Sequence, residues 1–113
     1  MNLSELIARQ NDFDKAHESR KPFFVSIGEN NLEDLEHLVV CLVGEVGEFA
    51  NILKKVVRGD LTFEAARASL SDELADVFIY LIKIASQTDI DLEESFLRKL
   101  EKNKMRFSDW AKP

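Results

Sequence analysis

The sequence predicts an all-α protein. Hydrophobic residues recur at helical rather than alternating spacing along most of its 113 residues, with only Gly 4 and Pro 2 to interrupt them. Residues that start helices, namely Asn, Thr, Ser and Asp, precede the successive apolar stretches. No strand-like alternation, internal repeat or low-complexity tract competes with this pattern. The length suits one domain with a modest core, so residues 1–113 are read as a single unit.

A first helix is predicted over about residues 3–20, where Leu3, Leu6, Ile7, Phe13 and Ala16 fall at roughly helical intervals. It gives way to "SRKPFFVSIGENN", which Pro22 and Gly28 mark as a loop. Asn30 or Asn31 can cap a second helix, with Glu33 as a capping-box partner of Asn30, and Gly59 stops it after Arg58. Thr62 begins a short helix in "DLTFEAARAS", and Ser71 is read as the cap of a third long helix ending near Gln87. Asp91 and Glu94 open the last helix, to about Arg106, and Phe107 and Trp110 are expected to pack the tail. Helices joined by short connections make a bundle.

Composition narrows the function. A net charge of -6 argues against nonspecific binding to nucleic acid, which needs clustered Lys and Arg to displace counterions. A small anionic substrate would need a cation or local basic group to offset the acidic surroundings. One cysteine, Cys41, cannot form an internal disulfide, and no apolar run reaches the roughly 18 residues that suggest a membrane span. The opening "MNLSELIARQ" lacks the basic-then-apolar pattern of a signal peptide, so a cytoplasmic location is expected.

The unusual stretch is "LVGEVGEFANILKK". At about 100° per residue, Leu38, Cys41, Leu42, Phe49 and Ile52 fall within about 60° of Glu45, which therefore lies inside the apolar sector. Glu48, one turn along and to one side, reaches the same space. "SDELADVFIYLIKIASQ" repeats the arrangement with Glu73 and Asp76, and Tyr80 follows on the same face of a helix that is apolar nearly all round. Such a helix is covered by neighbours or by a second subunit. A single acidic pair at this spacing is usually a solvated face; two pairs among apolar residues must be reconciled with burial. Pairing with Lys or Arg, sharing protons and binding metal are the three solutions. A metal held by four carboxylates with no His or Cys would be hard, magnesium or manganese rather than zinc or copper. The Glu-x-x-His motif of di-iron bundles is absent.

"GEVGE" and "DELAD", separated by residues 49–72, closely resemble the Glu-x-x-Glu, spacer, Glu-x-x-Asp signature of the MazG-like nucleotide pyrophosphohydrolases. The similarity extends through "HLVVCLVGEVGEFANILKK", "LSDELADVFIYLIKIASQTDIDL" and "KLEKNKMRF", over much of residues 37–107. The resemblance implies a bundle of four to five helices completed by dimerisation. It also implies hydrolysis of a nucleoside triphosphate between its α and β phosphates, giving monophosphate and pyrophosphate. By position, Glu45, Glu48, Glu73 and Asp76 would hold magnesium, with manganese as the substitute. Lys99, Asn103 and Arg106 would lie near phosphates or sugar, and Tyr80 would touch substrate. Glu48 is the expected proton acceptor for the attacking water. Related proteins form dimers or tetramers, so a homodimer or homotetramer is expected.

Other residues have weaker claims. Lys54, Lys55 and Arg58 suit the negative end of the second helix as well as a phosphate. Lys83, one turn beyond Tyr80, is placed equally well for an ion pair or a substrate. Phe13, His17, Phe23, Phe24 and Trp110 are aromatic candidates for stacking on a base, though aromatics at helical spacing more often pack in cores. His37 is read as structural, Cys41 as a small buried hydrophobe, and "RGD" at residues 58–60 as a helix stop. A phosphoribosyl-ATP pyrophosphatase of the same superfamily and a non-catalytic helical interaction module are the competing functional readings.

Overall fold

The computed structural model describes residues 1–113 as four α-helices with no strands. The first helix, α1, spans Leu3–Lys15 and is capped by Asn2, whose side chain accepts from the Glu5 N–H at 2.9 Å. It ends earlier than the spacing predicts. No apolar residue follows Ala16 until Phe23, and the chain instead folds back so that the Phe23 N–H donates to the His17 carbonyl at 3.0 Å. The following segment is pinned to the far end of α3 (Phe63–Gln87). The buried Gln87 side chain donates to the Phe23 carbonyl at 3.0 Å and accepts from the Val25 N–H at 3.2 Å, while its own carbonyl accepts from Ile27 at 2.7 Å.

A 3-10 turn at Glu29–Asn31 leads into α2 (Leu32–Arg58). The expected Asn cap is absent because the Asn31 carboxamide is committed backwards, accepting from Gly28 N–H at 2.8 Å and donating to the Ser26 carbonyl and to Asp34. Gly59, at φ 90, ends α2 in the left-handed conformation that glycine adopts without a Cβ penalty. Thr62 then caps α3 through the Ala65 N–H at 3.1 Å.

The predicted break at Ser71 does not occur, and α3 is one helix of 25 residues. Neither Gly nor Pro lies anywhere between Thr62 and Gln87, so an exposed serine has no breaker to assist it. The bundle therefore has four helices, not five. Asp89, at φ 58, turns the chain into α4 (Leu92–Arg106), whose Asp91 cap accepts from Glu94 N–H at 2.9 Å as the sequence predicts.

The short Gly59–Thr62 connection folds α2 and α3 into a long antiparallel pair, and α1 packs on α3. Leu38, Ala66, Leu70, Ile82 and Ala85 are the buried apolar residues of this arrangement. By contrast, α4 barely touches the other helices; Ser4 Oγ donating to Glu93 at 3.0 Å secures its start. The radius of gyration is 17.4 Å, against about 13 Å for a compact chain of this length. Leu74 and Phe78 on α3, Val40, Val43 and Val57 on α2, and Phe96 and Leu97 on α4 all remain exposed. So does Trp110 at 82%, its ring tilted against that of Phe107 at 6.0 Å, so the tail does not pack as expected. No helix is long and apolar enough to cross a membrane.

Candidate active site

The antiparallel pairing of α2 and α3 brings their acidic motifs together. Glu45 and Asp76 are nearly equidistant in sequence from the turn at residues 59–62, so the hairpin sets them at the same height. Glu45, Glu73 and Asp76 each offer a carboxylate oxygen, and these three oxygens lie within 4.8 Å of one another. Oε2 of Glu45 and Oε2 of Glu73 are both buried with no hydrogen-bond partner, and no Lys or Arg forms an ion pair with the group.

Such an arrangement stores repulsion. The Glu73 carboxyl is pushed up to about 7, first by burial, then by hydrogen bonding of its protonated form to Glu45 and Glu48, and by their charges. Glu48 is exposed and stands beside Glu73, outside the tight trio, at the solvent side of the site. Tyr80 is raised to about 12 by its own burial, by neighbouring Cys41 and by the charges of Glu45 and Asp76. Its phenol is therefore a neutral hydrogen-bond donor at physiological pH.

Glu73, Asp76, Tyr80, Lys83 and Gln87 follow one another at three- and four-residue steps, forming a polar seam along α3. Opposite it on α2 run Glu48, Glu45, Cys41, His37 and Asp34. Beyond Tyr80 the seam opens into a cavity of about 560 Å³ bounded by Phe23, Asp34, His37, Tyr80, Lys83 and Gln87. The Lys21 ammonium beside Asp34, at 3.1 Å, holds that carboxyl below the usual range.

The remaining sequence candidates are placed as follows. Lys99, Asn103 and Arg106 lie on α4, which does not pack along α2 or α3, and none of them lines the cavity. Lys99 and Arg106 are exposed, and the Arg106 guanidinium rests over Phe107 at 4.9 Å. Arg58 pairs with Asp60 at 2.6 Å beside the Gly59 stop, and Lys54 and Lys55 point to solvent. Cys41 is half-buried, 3.7 Å from His37 Nε2. Phe13, His17 and Phe23 form a stack, with Phe13–His17 centroids 4.1 Å apart and His17–Phe23 5.9 Å apart.

Asp14 was not among the candidates. It is fully buried and accepts from Lys83 Nζ at 2.7 Å and Gln10 Nε2 at 3.0 Å. Within "RQNDFDK" it is one polar residue among many, and only the approach of α1 to α3 distinguishes it. Lys83, for which two uses were open, makes the ion pair and also fronts the cavity.

An all-α hairpin carrying a convergent carboxylate trio defines a class, that of helical proteins built around a cluster of acidic side chains. The particular family is shown by comparison: residues 33–109 match the MazG nucleotide pyrophosphohydrolase domain, and the chain belongs to this family. Its fold is also that of iMazG from Vibrio DAT 722, whose crystal structure aligns with a TM-score of 0.63 at 28% identity, covering 94% of this chain and 97% of that one. The dCTP pyrophosphatase 1 of Homo sapiens is 36% identical over 75 residues, 63% of this chain but 44% of that protein, so the match spans less than half the length of this relative. Gene 37 protein of Mycobacterium phage L5 is 39% identical over 80 residues, 68% of this chain and 69% of that protein.

Proposed function

We propose that the protein hydrolyses a nucleoside or deoxynucleoside triphosphate to the monophosphate and pyrophosphate, with magnesium, or manganese in its place, as the cofactor. The observation that carries this reading is the convergence of Glu45, Glu73 and Asp76 with two buried, unpartnered oxygens among them. An all-oxygen set of hard ligands fits magnesium and would remove the repulsion that now pushes Glu73 towards neutrality. Those three residues, with Glu48 at the rim, would hold the ion. When bound, it supplies charge neutralisation of the phosphates and polarisation of phosphorus.

The rest of the work falls to side chains. Glu48, exposed beside the trio, accepts the proton of the attacking water. Neutral Tyr80 donates a hydrogen bond to substrate at the entrance of the cavity. Lys99, Asn103 and Arg106 bind phosphate or sugar, and because α4 stands away from its own hairpin, a second copy of the chain would bring them to the site. The exposed apolar residues of α2, α3 and α4 support such a homodimer, or a homotetramer built from it. The names of the mammalian relatives make dCTP the first substrate to try.

The test is pyrophosphate release from the common nucleoside and deoxynucleoside triphosphates and from phosphoribosyl-ATP, with magnesium and with chelator. Magnesium-dependent release from a triphosphate is the expected result. Release from phosphoribosyl-ATP alone would move the protein to that sister activity, and no release from any substrate by the folded protein would favour a non-catalytic interaction module.

A further inference from the structure

Of the cations that line the cavity, Lys83 alone is largely buried, and its bonding within the chain leaves it donors to spare, whereas Arg20 and Lys21 are exposed. Gln87 is committed to Phe23 and Val25, Asp34 to Lys21 and Asn31, and His37 Nε2 lies against Cys41. An ammonium has three N–H donors, and Lys83 gives one, to Asp14. Its side chain is 12% exposed, and the Phe23 and Tyr80 rings lie 5.4 and 5.9 Å from Nζ. Held by a wholly buried carboxylate and flanked by two rings, the charge has a fixed position on the cavity wall.

Its place along α3 matters as much as its chemistry. Lys83 is two turns beyond Asp76, about 10 Å at 1.5 Å per residue. That is about the reach of a nucleotide from its α-phosphate to the edge of its base. With phosphates at the carboxylate end of the seam, the cavity receives the base. An apolar pair would join α1 to α3 as well as an ion pair does. The ion pair adds a positioned donor.

We propose that Lys83 is a specificity-determining residue, donating a hydrogen bond to a carbonyl oxygen of the substrate's base, and that Asp14 is the positioning residue that holds it there. The inference rests on the pyrophosphohydrolase reading for the placement of the phosphates. Cytosine, thymine, uracil and guanine carry a carbonyl oxygen; adenine has none, so adenine nucleotides are the discriminated class. A hydrogen bond to a charged group translates into a preference of about tenfold or more.

The experiment measures calorimetric binding of the non-hydrolysable α,β-imido analogues of dCTP, dTTP, dGTP and dATP in magnesium. It compares the wild type with Lys83→Met, Lys83→Arg and the double variant Asp14→Leu/Lys83→Met. The double variant leaves no unpaired buried charge, and thermal melting confirms its fold. Expected is about tenfold weaker binding of the dATP analogue by wild type, an ordering kept by Lys83→Arg and lost in the double variant. Equal binding of all four analogues by wild type, or a preference that survives in the folded double variant, overturns the proposal. Base preference without pyrophosphate release from the true triphosphates would sink the enzymatic reading and leave the role of Lys83 standing. Release without base preference would do the reverse, and no binding by any analogue would overturn both.

Discussion

Two groups of buried acids lie one beyond the other along α3, and they meet the same electrostatic problem differently. Asp14 is wholly enclosed and its Oδ2 has no partner, but Lys83 and Gln10 supply a counter-charge and a donor to its Oδ1 from within the chain. Glu45, Glu73 and Asp76 crowd together with no cation, two oxygens unpartnered, and one carboxyl pushed up to about 7. Burial of an acid alone therefore does not mark a site. What distinguishes the second group is a charge the chain does not balance, which is the condition for taking a cation from solution.

Breaking the two groups should give effects of opposite sign. The largest is expected for Lys83→Met, which strands the Asp14 carboxylate and should cost about 3–5 kcal/mol in a denaturant titration. Replacing both charges, as in Asp14→Leu/Lys83→Met, should recover most of that loss. Glu73→Gln removes a repelling charge instead, so at neutral pH without metal it should unfold at a higher denaturant concentration than wild type.

A pH series sharpens the contrast. Because the folded-state value for Glu73, about 7, lies above the ordinary 4.5 of a glutamate, the folded protein holds the extra proton between them. Its contribution to stability is present below about pH 4.5 and is lost as pH rises through about 7. The melting temperature of metal-free wild type should accordingly fall across that window more than that of Glu73→Gln. Saturating magnesium should reduce the difference.

A smaller effect is expected at the cavity's far end. Gln87→Leu removes the two side-chain hydrogen bonds that pin Phe23 and Val25, at a cost of about 1–3 kcal/mol by thermal or chemical unfolding. The same variant should raise proteolytic cleavage within residues 16–28, since that segment would lose its anchor on α3.

Much of this molecule is legible in its sequence, for identifiable reasons. The ends of α2 and α4 follow local chemistry, Gly59 at φ 90 and the Asp91 side chain on the Glu94 N–H. The carboxylates of α2 and α3 are visible because they interrupt apolar faces, whereas the short connection that makes the two helices meet is hidden by the expected break at Ser71. Local chemistry misleads where a residue has a competing partner: Asn31 bonds backwards to Gly28 and Ser26, so its side chain does not cap α2. It also misleads at Ser71, which resembles a cap but has no breaker before it. Asp14 is out of reach altogether, since its meaning depends on a lysine 69 residues away in sequence.

The most direct measurement is the rate of magnesium-dependent pyrophosphate release by wild type and Glu73→Gln, at equal concentration and with the helical content of both verified by circular dichroism. With each factor of ten in rate worth about 1.4 kcal/mol, loss of one carboxylate from the site predicts a fall of about 100-fold or more. Wild-type turnover that persists in chelator, or a folded Glu73→Gln that turns over at the wild-type rate, would contradict the assignment of the trio as the catalytic cation site.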